Sequence, residues 1–484
     1  MDRPTALFKS SLRICLMIAP VLAAVMSLTS DYNHHPDEIH HFEAVQYYIH
    51  GFIPPEIGDP GVRSSYSVWG VSYLNYHWIE YFLAGKFVLV FSPISGYLLA
   101  ARLFNVLLLA GLCAFFVYKS FSDQDVLLPA SVLLITPQVW YVFSYVNNDA
   151  FALAVSMLLA FMVADPQGRL NRFLVDRGWS NGAFGFAILL GLLLISKTNY
   201  YVFIAFLAVW LLYKWPVVEM AEGRAVVNFD RVRKYTTLVV IGLSIFAFRI
   251  ALDLYVNGET NFVGLSYGNY IAGNFEKKPS RLLAYQEEIA DPLLKPSAIE
   301  HDIANTHPSL RLRDKGAPFS SVFTEWRWHE MSFRSFVGLY GYMNIHGPGA
   351  YYLVMGILFA AFGVYAVVAI IRRRRRDEMV AFGLLLFGIL ITAFMSSYLS
   401  WTYAVQAQGR YLFPALPMAA LFVYVCREAL NRKVVTVFVL ICFLLSVYSF
   451  LVVGVGRINS VPPPGTTIET TQAATGAVIR REQG

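Results

Sequence analysis

Histidines and carboxylates crowd one short stretch of a chain that is otherwise mostly apolar: residues 30–51 read SDYNHHPDEIHHFEAVQYYIHG. Pro36 suits the first turn of a helix, and from Asp37 onward Ile39, Phe42, Val45 and Ile49 can line up as one apolar side. Helical spacing sets Asp37 against His41 at i and i+4, and Glu38 against His41 at i and i+3. Two carboxylates there also sit where the helix dipole favours negative charge. Three kinds of chemistry fit this pattern. An arbitrary acidic pair usually makes a solvated, capped interfacial helix. Glu-x-x-His spacing projects two metal ligands from one face, although no motif supplying further ligands stands out. The third reading is a catalytic carboxylate at the membrane boundary, acting on a substrate that arrives through lipid.

Other ionisable groups lie at membrane depth, where they are costly and usually functional. Arg410 opens an apolar run in QGRYLFPALP, followed by Tyr411 and Pro414, and an arginine can hold phosphate through two parallel bonds. The plainer alternative is a side chain that snorkels to the headgroups. Lys197, in SKTNYY, ends another run and offers a second cation. Asp149, in SYVNND, suits acceptor or metal binding, and equally a helix cap together with Asn148. Arg102 and Arg249 fall inside apolar runs; Arg249 has Asp253 at i+4 as a ready partner. The aromatic segment FTEWRWHEMSFRSFVGLYGYMNIHGPG carries Trp326, Trp328, His329 and Arg334; an interfacial helix lying on the membrane is its default reading, carbohydrate contact the alternative.

What must position these residues is a membrane bundle. The 484 residues are 57% hydrophobic and 14% charged, against roughly a quarter charged in soluble proteins. Apolar runs near 12–29, 97–118, 126–146, 149–164, 183–197, 199–214, 235–256, 349–371, 378–398, 410–426 and 434–454 predict an all-α polytopic protein of about eleven transmembrane helices. With a cytoplasmic N-terminus, Arg169, Arg172, Arg177, Lys214, Arg224, Arg231, Arg233, Lys234, the RRRRRDE run at 372–378, Arg427, Arg432 and Lys433 all fall in inside loops. That agrees with the positive-inside rule. The first run reads as a retained anchor. A single membrane domain over 1–456 results, with long exterior loops at 30–96 and 257–348 carrying short interfacial helices, and a Pro- and Thr-rich disordered tail at 457–484. The four cysteines lie in apolar runs, so neither a disulfide framework nor a thiolate metal site is indicated. Nothing calls for a nucleic-acid partner.

PDEIHHF (36–42), SYVNND (144–149), SKTNYY (196–201), SFVGLYGYM (335–343) and QGRYLFPALP (408–417), in that order and topological placement, resemble the GT-C membrane glycosyltransferases. The closest likeness is to a large bacterial family in that superfamily with PDE-x-x-HF and GRY-x-x-P elements; protein O-mannosyltransferases and the aminoarabinose transferase of lipid A are similar at greater distance. The resemblance spans almost the whole chain and implies a GT-C-like fold in a bacterial cytoplasmic (inner) membrane. It implies transfer of a hexosyl or pentosyl group from a polyprenyl-phosphate donor to a glycan, lipid or protein acceptor on the exterior or periplasmic face, with inversion. Asp37 then falls at the leading acidic position as catalytic carboxylate, with Glu38 second. Arg410, Lys197, Tyr411 and Arg102 would serve the donor phosphate, and His41, His40 and Asp149 the acceptor or the surroundings of the acid. Some GT-C enzymes use a divalent cation such as Mg or Mn; Asp37, Glu38 and His41 would be its ligands. The rival classes are a transporter or flippase for a lipid-linked sugar, which predicts polar residues spread across membrane depth, and an inactive scaffold of envelope glycan assembly.

Overall fold

The computed structural model describes residues 3–76, 79–176, 180–221, 223–258 and 281–462. Among them, six helices are long and apolar enough to cross a membrane: Ser10–Thr29, Tyr97–Lys119, Phe229–Asn257, Gly349–Arg373, Arg376–Thr402 and Arg432–Ser460. A seventh candidate is Asp149–Ala164 with Arg169–Val175, bent by 47° at the break between them. Length alone therefore gives six or seven spans where the hydropathy runs suggested eleven. The other apolar runs form the shorter helices Gln124–Leu134, Asn181–Leu194, Thr198–Lys214 and Gly409–Val425. The run expected over 126–146 is broken into short pieces, with Pro129 and Pro137 among them, and Pro137 starts a new turn capped by Thr136. Those pieces are buried in protein, where Trp140, Phe143 and Tyr141 fill the main core together with Phe203, Phe413 and Phe450.

At one end of the bundle the basic residues find acids. Lys214 reaches Asp377 at 2.6 Å, Arg373 and Arg375 share Glu428 at 2.5 and 2.8 Å, and Arg427 and Arg432 share Asp125 at 3.1 and 2.5 Å. The five-arginine run is thus partly paired within the protein.

The opposite end carries the motifs. The segment expected as a loop over 30–96 contains two packed helices, Glu38–His50 and Ile79–Ser95. Gly85 makes that packing possible, because a Cβ there would lie 2.6 Å from the backbone carbon of Tyr48. Gly96, at φ 78°, turns the second of these helices directly into Tyr97–Lys119. The other long segment, described from Arg281, covers the first: Tyr285 packs edge-on against Tyr66, and the Asp291 N–H donates to the Val68 carbonyl at 2.9 Å. Backbone N–H groups of Arg311 and Arg313 then bond to the carbonyls of Tyr403 and Trp401, tying this segment to the end of the helix Arg376–Thr402.

Two expectations change here. Helix Trp328–Gly338 packs into the protein rather than leaving one apolar face free: Trp328, Met331, Ser335 and Val337 are buried, and Arg334 pairs with Glu330 at 2.7 Å. Its aromatic residues fill a core, which hydropathy alone does not distinguish from an interfacial face. Arg457–Val461 are also anchored, since Asn459 donates to the Thr29 carbonyl at 2.7 Å and accepts from the Asp31 N–H at 2.9 Å. The rest of the expected disordered tail, 463–484, lies outside the described residues. All four cysteines are buried and free.

Candidate functional site

The loop that delivers Asp37 is pinned by a histidine to which the sequence reading gave no role. His35 is fully buried, bonds Ser30 and the Tyr141 hydroxyl at 2.8 and 3.0 Å, and stacks on Tyr145 with rings 4.7 Å apart. Two residues later Asp37 takes a left-handed conformation at φ 60°, and its side chain remains about a third exposed. A non-glycine residue holds that conformation at a cost, and aspartate is among the residues that tolerate it best. Here it turns the carboxylate away from the helix it precedes and toward Arg410.

Arg410 sits in the turn Gly409–Leu412, which lies against helix Trp328–Gly338. Its Nε donates to Gln408 Oε1 at 2.6 Å, while Nη2 reaches Asp37 and Nη1 reaches the Tyr145 hydroxyl, each at 3.4 Å. A bond of 2.6 Å aims the guanidinium; two of 3.4 Å, beyond the usual N–H···O range, leave its outer fork loosely engaged. Asp149 lies behind, 3.8 Å from Arg410 Nε, and Lys197 closes the row with bonds to Asp149 at 2.5 Å and Asn148 at 3.1 Å. Tyr411 lies beneath both cations, its ring centroid 5.7 Å from the Lys197 ammonium and 5.8 Å from the Arg410 guanidinium, with its hydroxyl fixed on Gln406 at 2.5 Å. Asp37, Asp149, Lys197, and the adjacent pair Arg410 and Tyr411 thus come together from four separate parts of the chain.

Asp149 is free for this role because it does not cap its helix. The Asn147 side chain accepts from the N–H groups of Asp149 and Ala150 at 2.8 and 3.1 Å. Neither Asn148 nor Asp149 serves as the cap considered from sequence.

Glu38 and Arg102 belong to the scaffold. Their side chains are 0% and 3% exposed, and Arg102 Nε and Nη2 each donate to Glu38 at 2.7 Å. The remaining Arg102 N–H groups are taken by the carbonyls of Ser27, Ser30 and Asp31, and Glu38 accepts from the Asn33 N–H. With its fork spent, Arg102 cannot serve a donor phosphate, and Glu38 is in no position to act as a base. Arg249 is likewise held by Asp253.

His41 is buried behind the acid, with Nδ1 bonded to the Tyr81 hydroxyl at 2.6 Å and its ring stacked on Tyr73 at 4.0 Å. Burial, and then the charges of Arg410 and Lys197, hold its imidazole well below the ordinary range, so it is neutral. His40 also has its imidazole lowered by burial, with Asp37 and Glu43 opposing. Among the described residues no three His, Cys, Asp or Glu side chains converge in a metal-holding group. With Glu38 committed to Arg102, the set Asp37, Glu38 and His41 does not fit a cation.

In front of Arg410 lies a small cleft with about 10 Å³ of free space, lined by Pro36, Gln138, Tyr145, Ser335, Gln408 and Arg410 among others. That is room for about one water molecule, far below the roughly 300–1,000 Å³ of sites that enclose drug-sized ligands. The Gln138 amide, with its nitrogen donating to the carbonyls of Ser335 and Leu339 at 3.1 and 3.2 Å, braces the cleft wall.

The long apolar helices define an integral, helix-dominated membrane protein whose ionisable motif residues gather at one end of the bundle. No family model, curated protein or solved structure matches the chain.

Proposed function

We propose that the protein is a GT-C-type glycosyltransferase of a bacterial inner membrane, moving a sugar from a polyprenyl-phosphate donor to an acceptor on the exterior face. On this reading the shorter apolar helices complete a bundle of eleven passes, with the N-terminus cytoplasmic. The observation that carries it is the partly exposed Asp37 carboxylate facing an aimed but loosely engaged Arg410, with Lys197 behind. Asp37 takes the proton of the acceptor hydroxyl as its oxygen forms a bond to the anomeric carbon. The bond from that carbon to the phosphate oxygen breaks, and the negative charge on the leaving polyprenyl phosphate is met by Arg410 and Lys197. One displacement inverts the anomeric configuration. Negative charge on Asp37 also favours the oxocarbenium-like transition state.

A flippase needs functional charge along its path, and an inactive scaffold needs no aimed fork. Purified protein assayed with labelled polyprenyl-phosphate sugars separates the three. Transfer that depends on Asp37 supports the enzyme; transfer undiminished in a folded Asp37→Asn variant rejects the assignment.

A further inference from the structure

Glu80 takes no part in the charge pairs described above. It opens helix Ile79–Ser95, is 2% exposed, and neither carboxylate oxygen has a hydrogen-bond partner. The backbone fixes its place: the Ile79 N–H donates to the Ile195 carbonyl at 3.1 Å, laying the helix start against Ser196 and Lys197. The buried Ser196 hydroxyl lies beside it. Lys197 and Asp149 are the charged groups that face it; Tyr81 on its own helix and Tyr48 on Glu38–His50 are its other titratable neighbours. Arg249, on the neighbouring helix Phe229–Asn257, is already engaged by Asp253 and the Tyr76 carbonyl.

Asp37 and Asp149 already balance Arg410 and Lys197. A third buried carboxylate would lack a counter-ion, and protein interiors avoid that state by keeping the proton. Burial pushes the Glu80 carboxyl well above its usual range; Lys197 opposes the rise and Asp149 adds to it.

We propose that Glu80 is a positioning residue at the phosphate end of the site, a neutral acid that packs behind the Lys197–Asp149 pair without drawing off the ammonium's charge. An ionised Glu80 would compete for Lys197 and repel an anion. Affinity for a phosphate ligand is therefore full while Glu80 keeps its proton, and falls as pH rises through its titration. This rests on the phosphate reading of Lys197 given above.

The test uses purified full-length protein and two readouts. Infrared spectra of wild type and Glu80→Gln at neutral pH should differ by a carboxylic-acid carbonyl band, shifted in heavy water and missing from the variant. Glu80→Gln should bind a long-chain polyprenyl phosphate within about twofold of wild type and keep that affinity at alkaline pH; wild type should weaken by up to about tenfold per pH unit as the band bleaches. Glu80→Asp, whose own acid band should persist at a shifted frequency, replaces the amide should that variant not fold. Absence of the band difference, or loss of binding in folded Glu80→Gln, overturns the proposal. Wild type that shows the band but does not bind polyprenyl phosphate overturns the functional reading instead.

Discussion

Neighbouring acids in PDEIHHF have opposite fates, and single substitutions tell them apart. Asn is also tolerant of the left-handed conformation that Asp37 occupies, so Asp37→Asn changes charge with little disturbance of the loop. Its transfer rate should fall by about 10²–10⁴-fold with thermal stability unchanged. Glu38→Gln should do the reverse. Removing one partner of a buried ion pair costs about 3–5 kcal/mol, so the melting temperature should drop sharply in a thermal unfolding scan, whatever substrate is present. Arg410→Lys keeps the charge but loses the bond from Nε to Gln408 and the two-pronged fork; polyprenyl-phosphate binding should weaken by about tenfold or more, measured by quenching of intrinsic fluorescence. Asp37, Asp149, Lys197 and Arg410 were legible in the sequence because an ionisable side chain at the edge of an apolar run is conspicuous. Glu38 and Arg102 misled for the same reason: nothing in the chain shows that residues 64 positions apart are spent on each other. His35, Gln408 and Tyr145 stood inside the quoted motifs, but the hydrogen bond or ring stack that gives each its role exists only after folding. Glu80 left a fainter trace, a lone acid in NYHWIEYFLAG beside the motif loop.

Among the elements, the turn Gly409–Leu412 shows how close packing sets a motif. A Cβ on Gly409 would lie 2.1 Å from the Phe336 backbone nitrogen, and backbone cannot yield as a flexible side chain would. Gly409→Ala should therefore push the turn off helix Trp328–Gly338, lower the melting temperature, and cut phosphate binding even though Arg410 itself is intact. Most long helices followed from hydropathy, whereas helix integrity did not. Pro129 and Pro137 lie in the broken run over 126–146, and the helix Ile79–Ser95 was absorbed into an expected loop because its charged and aromatic start, HWIEY, reads as polar. The capping of Asp149–Ala164 fell to Asn147, just before the two positions weighed, and that shift is what releases Asp149 to its cations.

For the molecule as a whole, pH acts through its buried imidazoles. His35 is held well below the usual histidine range by burial, then by Arg102 and His34, and His41 by burial and two cations. The unfolded chain takes up those protons near pH 6.5 and the folded chain does not, so stability is full above about pH 6.5 and declines as pH falls below it. A series of thermal scans from pH 7.5 downward should show the decline, reduced in a His41→Gln variant that still folds. A further property follows from how the first span meets Tyr97–Lys119. Arg13 bonds Ser120 through Nε and Nη2 at 2.8 and 2.9 Å, and Arg102, far along the same pair, grips the carbonyls of Ser27 and Ser30. Two rods riveted at both rims have no sliding coordinate between them. They travel as one plank, so on the proposed reading an opening for a greasy ligand would be hinged elsewhere in the bundle.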